Sequence, residues 1–222
     1  MPGGAAADLT AEIAARLASV RSRIEQAGGD PDRVVILAVT KGQPIETCRA
    51  ALGLGLTRLG ENRVQEALPK LEALPEAHWD LIGHLQTNKV RQVAGRFGMI
   101  QSVDSVRLAE ALAARGPQAI LMEVNVAAEA AKHGFDPDRA LEGASTLAEL
   151  LDLRGLMGMA PGSGDPAPAF ARLRRLRDEA EQRLGRELPV LSMGMSNDLE
   201  AAVRAGSTLV RLGQALFGDR HW

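Results

Sequence analysis

Two cations stand at or within apolar runs near opposite ends of this 222-residue chain, and their placement is the first sign of chemistry. Lys41 closes the run Val34-Val35-Ile36-Leu37-Ala38-Val39-Thr40, and Arg211 interrupts Leu209-Val210-Arg211-Leu212-Gly213. In extended backbone alternate side chains share a face, which groups Val35, Leu37, Val39 and Lys41, and likewise Leu209, Arg211 and Gly213. A lysine at a strand end can simply lie along apolar surface with its ammonium in water, and that reading stands until a partner is found. An arginine between apolar neighbours demands more, because a buried guanidinium needs an acceptor or an anion. If the two cations face each other, a negatively charged guest is required between them. The stretches Ser192-Met193-Gly194-Met195-Ser196-Asn197-Asp198 and Arg211-Leu212-Gly213-Gln214-Ala215 could supply the donors for a phosphate. Gly213 admits backbone close to the ligand, Gln214 adds an amide, and Ser196 offers hydroxyl and amide donors. Ser196 serves equally well as the cap of a helix beginning at Asn197.

What must position these groups is legible as a rhythm. A helical pattern of Ile13, Leu17, Val20 and Ile24 runs to the break at Gly28-Gly29. From Val34 onward short apolar runs alternate with amphipathic stretches, as repeated βα units do. The runs predict eight strands, at 34–40, 57–60, 79–83, 99–103, 119–125, 152–159, 190–195 and 209–213, with a helical stretch after each, such as 45–54, 64–74, 105–114, 137–150, 169–184 and 197–205. The fold class expected is therefore α/β, a TIM (β/α)8 barrel with an extra N-terminal helix. Its working face lies at the C-terminal ends of the strands, and it often binds phosphate with the loops after strands seven and eight. An open doubly wound sheet is the alternative, but no GxGxxG follows the first strand. Residues 161–166 (Pro-Gly-Ser-Gly-Asp-Pro) read as a loop on the working face. The domain reading is a flexible N-terminus over residues 1–8 and a single barrel domain over 9–222.

Composition removes several classes of function. A hydrophobic fraction of 45% and a charged fraction of 24% are ordinary for a globular domain, and a formal net charge of −2 draws in neither nucleic acid nor anionic lipid. Cys48 is the only cysteine, which excludes an internal disulfide framework and a cysteine-clustered zinc site, and no metal site is expected. No basic region followed by an apolar stretch opens the chain, and no run is apolar long enough to span a bilayer. A cytoplasmic, soluble, monomeric protein is the expectation. Tyrosine is absent altogether.

An aldehyde cofactor carrying a phosphate would satisfy the lysine, the phosphate donors and the arginine together, and pyridoxal 5'-phosphate is such a molecule. A guanidinium opposite the pyridine nitrogen stays protonated and donates to it, which disfavours the pyridinium form and weakens the ring as an electron sink.

Motifs spread along the chain carry a resemblance: Ala38-Val39-Thr40-Lys41, Gly60-Glu61-Asn62-Arg63-Val64-Gln65-Glu66, Ile82-Gly83-His84-Leu85-Gln86-Thr87-Asn88-Lys89, Ser102-Val103-Asp104, the stretch 192–198, and Gly206-Ser207-Thr208-Leu209-Val210-Arg211-Leu212-Gly213. Together they resemble the pyridoxal phosphate homeostasis proteins (YggS/PROSC type), whose barrel is similar to the N-terminal domain of alanine racemase, over about residues 9–220. The resemblance implies that pyridoxal phosphate is held covalently by Lys41, that Arg211 faces the ring nitrogen, that Ser196, Gly213 and Gln214 hold the phosphate, and that Asn62 and His84 line the ring. On residue type alone, His84 is as readily a packing or helix-entry histidine and Asn62 a helix cap. Gln43 and Arg63 stand where the family often has a second lysine and a tyrosine. Asn125, Glu129 and Lys132 also match a family loop, although a solvent-facing Glu/Lys pair explains the last two equally well.

The function implied is a non-catalytic carrier or buffer of pyridoxal phosphate in vitamin B6 and amino-acid homeostasis, with pyridoxal phosphate-dependent apo-enzymes as acceptors. The alternative, an amino-acid racemase of the same fold, needs bases on both faces of the substrate. A racemase of this kind takes one of them, a tyrosine, from a second domain. Cys48, inside an apolar helix, reads as a packing residue. A third reading is a barrel acting through a lysine imine on another phosphorylated carbonyl compound.

Overall fold

In a computed structural model, which describes residues 3–127, 129 and 133–218, eight parallel strands close into a barrel in chain order. The strands are β1 (Val35–Val39), β2 (Arg58–Glu61), β3 (His78–Leu81), β4 (Met99–Val103), β5 (Ala119–Val124), β6 (Asp152–Gly158), β7 (Val190–Ser192) and β8 (Leu209–Leu212). The helices are α1 (Gly3–Gln26), α2 (Ile45–Gly53), α3 (Val64–Ala73), α4 (Val90–Val93), α5 (Val106–Ala113), α6 (Ala140–Leu150), α7 (Ala167–Leu184), α8 (Leu199–Arg204) and α9 (Gln214–Phe217). The open doubly wound alternative is thereby excluded: β8 pairs with β1, setting Leu37 beside Arg211.

The apolar periodicities explain the layers. Ile36, Ala38, Leu59, Leu81, Ile100, Ile120, Leu156, Leu191, Val210 and Leu212 face the helices and join one large core with them. The alternate residues point into the barrel, where Met99, Leu121 and Met157 form a separate small cluster with Val190. Ile13, Leu17, Val20 and Ile24 are all buried on α1, which packs across α2, α8 and α9 and so covers the seam where the barrel closes.

Several boundaries differ from the sequence-based expectation for physical reasons. Residues 3–8, expected to be flexible, are taken into α1; Ala5-Ala6-Ala7 has the best intrinsic propensity to extend a helix backwards from Leu9. β3 stops at Leu81, before Gly83, whose Cα passes so close to the Asn62 backbone that a Cβ there would collide with it. β7 stops at Ser192 because Gly194 turns the chain with φ +97°, and a Cβ at that position would meet the Ala202 side chain at 2.5 Å. The helical stretch after β3 is short, a 3-10 turn at Thr87–Lys89 leading into α4. The one expected over 137–150 starts as a 3-10 turn, Pro137–Arg139, before α6. Ser105 caps α5 by accepting from Leu108 N. Among the described residues no helix is long and apolar enough to cross a membrane.

Candidate functional site

At the C-terminal ends of the strands lies a cavity of about 480 Å³ whose wall includes Lys41, Asn62, Ser196, Arg211, Gly213 and Gln214. Six of the seven residues singled out from sequence are thus brought together, and Gln43, Met195 and Asp198 join them in the wall. His84 is not part of it. Its Nδ1 lies 2.9 Å from Asp104 Oδ2, and its ring stacks on that of His133.

Lys41 sits one residue past Thr40, and that end of β1 is clamped from behind. Lys70 of α3 donates to the Thr40 carbonyl at 2.7 Å and to Glu61 Oε1 at 2.6 Å, while the Thr40 hydroxyl donates to the same carboxylate oxygen at 2.7 Å. All three side chains are buried. Cys48 of α2 is buried close by, and burial pushes its thiol up, against the neighbouring Lys70 charge. It is a packing residue held away from thiolate chemistry.

Arg211 is fixed by the barrel interior. One guanidinium nitrogen donates to Ser192 O at 2.8 Å and Ser192 Oγ at 2.7 Å, the other to Gly158 O at 3.0 Å. The Ser192 hydroxyl donates to Gln101 Oε1 at 2.6 Å, and Gln101 Nε2 donates to Asp80 Oδ2, which also accepts from Arg58 Nε at 2.9 Å. A continuous chain of polar side chains therefore crosses the barrel from β2 to β8. Burial pushes the Arg211 guanidinium down to about 10, with the Glu123 and Asp198 carboxylates acting the other way, so it remains a cation at neutral pH. Burial likewise pushes Glu123 up to about 7; Asp104 adds to the rise and Arg211 opposes it. Asp80 is raised by burial despite its arginine.

The donors expected to meet a phosphate come from two turns locked to each other. Ser196 Oγ accepts from Ala215 N at 3.0 Å, joining the turn after β7 to the start of α9. It does not cap α8, which begins at Leu199 with Asp198 as its N-cap. Arg23 of α1 donates to Ser196 O at 3.0 Å and forms a forked pair with Glu200, at 2.6 and 3.0 Å. Each partner shifts accordingly: the Glu200 carboxyl is lowered by the arginine and Arg23 is raised by the carboxylate. At Gly213 a side chain would fill the space against Val39, its Cβ 3.4 Å from Val39 O.

Asn62 is not a helix cap either, since Arg63 holds the N-cap position of α3 and makes no side-chain cap bond. Asn62 Oδ1 is buried in the cavity wall and, among the described residues, accepts no hydrogen bond. A buried acceptor left open beside a lysine, an arginine and a pair of turns fits a ligand that carries its own donors. Arg63 itself is exposed and pairs with Glu66. The Glu129 backbone carbonyl accepts from Asn125 and its carboxylate from Gly162 N, while Lys132, the other member of the expected Glu/Lys pair, lies outside the described residues.

Sequence reasoning passed over Glu61, Asp80, Gln101 and Glu123. Asp80, Gln101 and Glu123 each interrupt an apolar strand run, as Arg211 does, and that signal could have found them, whereas Glu61 ends β2 between Gly60 and Asn62 and carries no such mark.

A closed barrel with a lysine at the end of its first strand and a buried arginine on its last defines the class, and the family model for the alanine racemase N-terminal domain matches residues 10–221. A pyridoxal phosphate homeostasis protein of Aquifex aeolicus (strain VF5) is 40% identical, covering 93% of this chain and 98% of the relative. The structure of PipY of Synechococcus elongatus PCC7942 with PLP bound superposes with a TM-score of 0.82 at 37% identity, over 93% of this chain and 100% of that one. The chain belongs to the pyridoxal phosphate homeostasis protein family. Alanine racemase of Corynebacterium glutamicum shares the fold, with a TM-score of 0.75 at 18% identity, and this chain covers 96% of itself but 63% of the racemase.

Proposed function

We propose that this chain binds pyridoxal 5'-phosphate in the cavity, covalently through Lys41, and carries or buffers it for acceptor apo-enzymes without turning over a substrate of its own. The observation that carries the reading is the meeting of Lys41, Asn62, Ser196, Arg211, Gly213 and Gln214 on one cavity. When bound, the cofactor supplies an aldehyde for the lysine amine and a ring able to accept electrons. The chain's own residues would do the rest. Lys41, on a clamped strand end, presents its amine. Ser196, Gly213 and Gln214 would hold the phosphate between two locked turns. Arg211 would donate to the ring nitrogen and keep it unprotonated, which blunts carbanion chemistry.

A racemase also needs opposed bases. With no tyrosine in the chain, a buried and raised Cys48, and His84 outside the cavity wall, none of these candidates supplies one. The fold-related racemase has additional chain beyond the shared barrel. The test is an absorbance spectrum of the purified protein and of Lys41→Ala, then borohydride reduction and peptide mapping. A yellow parent, a colourless variant and a reduced adduct on Lys41 are expected; a parent that takes up no added cofactor, or an adduct elsewhere, would overturn the binding mode. Alpha-deuterium exchange of several amino acids tests the absence of turnover, and rapid exchange with racemisation would defeat it.

A further inference from the structure

Three stretches of chain bring His84, Asp104 and His133 to one place on the barrel rim, after β3, after β4 and between β5 and α6. The cavity wall uses none of them. The imidazoles stack with centroids 3.9 Å apart and planes 10° apart. Both Nδ1 atoms address the same carboxylate oxygen, Asp104 Oδ2, from 2.9 Å for His84 and 3.8 Å for His133. One potential donor atom from each residue lies within 4.8 Å of the others.

The backbone builds this meeting. Phe135 N donates to Glu123 O at 2.7 Å and Asn125 N to Phe135 O at 3.0 Å, so the segment after β5 doubles back onto the strand end. Gly134 makes the return possible: it has φ +117°, and a Cβ there would lie 2.7 Å from Asn125 N. His133 is thereby delivered opposite Asp104. The other Asp104 oxygen accepts from the Ser105 hydroxyl at 3.2 Å, which orients the carboxylate as outer-sphere partners of metal ligands do.

The His84–Asp104 hydrogen bond and the ring stack set the metal-free arrangement; because the nitrogen lone pairs lie in the ring planes, an ion shared by both nitrogens requires one of the exposed imidazoles to rotate out of the stack. Around a tetrahedral first-row ion with bonds of about 2.0–2.2 Å, donor atoms stand roughly 3.3 Å apart, and the two N···O separations fall on either side of that value. Asp104 is 12% exposed while His84 and His133 are 40% and 57% exposed, which gives an ion an entry path and room for water in its remaining positions. Two nitrogens and one carboxylate suit neither calcium nor magnesium, which take oxygen shells, but do suit zinc, cobalt, nickel or copper. We propose that His84, Asp104 and His133 form a binding site for a first-row divalent cation of the zinc type, which pins the segment after β5 to the ends of β3 and β4.

The test titrates tag-free protein with Zn²⁺ by calorimetry and with Co²⁺ by its visible ligand-field bands. One equivalent per chain is expected. His133→Asn and Asp104→Asn should each weaken binding by more than the about 10–100-fold that losing an outer-sphere partner costs. His133→Asn should keep the metal-free melting temperature, and Lys41→Ala should keep full metal binding. No uptake, or uptake unchanged in the Asp104 and His133 variants, would overturn the proposal. Loss of uptake in Lys41→Ala would move the ion to the cavity and overturn it equally. None of these outcomes depends on whether pyridoxal phosphate binds.

Discussion

Arg211 spends hydrogen bonds on Ser192 and Gly158 before any ligand arrives, so its direction is set by the protein. A preoriented donor costs no reorganisation when a ring nitrogen comes opposite it. Replacing it with a carboxylate, Arg211→Glu, should hold a proton on that nitrogen, and the absorbance of the reconstituted variant should move toward the protonated-ring form; an unchanged spectrum would take Arg211 away from the ring. Glu123 gives a separate expectation. Its folded value of about 7 lies above the roughly 4.3 of an unfolded glutamate, so between those values the folded state binds more protons. Stability should therefore fall as pH rises through that window and level off above it. Glu123→Gln should remove this contribution to the slope and leave the variant more stable at pH about 8, by an amount on the order of 4 kcal/mol at most. Urea unfolding at several pH values measures it, and a parent protein with no slope in that window would contradict the assignment.

Among the elements, α3 holds the end of β1 in addition to the strand's own pairing, in which Thr40 N donates to Gly60 O at 3.0 Å. Lys70 reaches from α3 to the carbonyl beside Lys41 and pairs with Glu61, whose other oxygen, Oε2, is buried without a partner among the described residues. Lys70→Met would strand that carboxylate and should cost about 3–5 kcal/mol in urea unfolding, with weaker cofactor uptake as the strand end loosens. Adding Glu61→Leu removes the stranded charge and should restore most of the stability, but not the tether on the Thr40 carbonyl. A double variant as unstable as the single one would show that the buried pair is not the cause. The leading helix acts on the opposite wall, where Arg23 ties α1 to Glu200 and to the Ser196 carbonyl. A half-exposed pair of this kind adds little stability, and its weight falls on holding a turn.

For the whole molecule, a ligand that binds only the closed barrel must stabilise it by mass action. Pyridoxal phosphate at 100 times its dissociation constant should add about 2.7 kcal/mol, which for a chain of this length is a rise in Tm of roughly 5–10 °C. Differential scanning fluorimetry with and without the cofactor reads this directly. Lys41→Ala should lose most of the rise, and a full rise in that variant would place the stabilising site away from the lysine.

Read alone, the residues determined the barrel and most of the cavity. Apolar alternation is a local property, so it marks strands, helices and the inward face of each; eight βα units in order then make the first and last strands neighbours and bring Lys41 to Arg211. The turns after β7 and β8 follow from the same order. Only tertiary structure decided which interior polar groups touch. Ser192 meets Gln101 across 91 residues of sequence, and the ladder registers shift within β4–β5 and β5–β6, so no periodicity could assign that pair. His84 shows the limit most plainly: its motif placed it near the strand ends, but its direction was set by Asp104 and by a segment returning from β5 with His133. Spacing along a chain fixes the face a residue belongs to, whereas its partner depends on where other chain segments close in three dimensions.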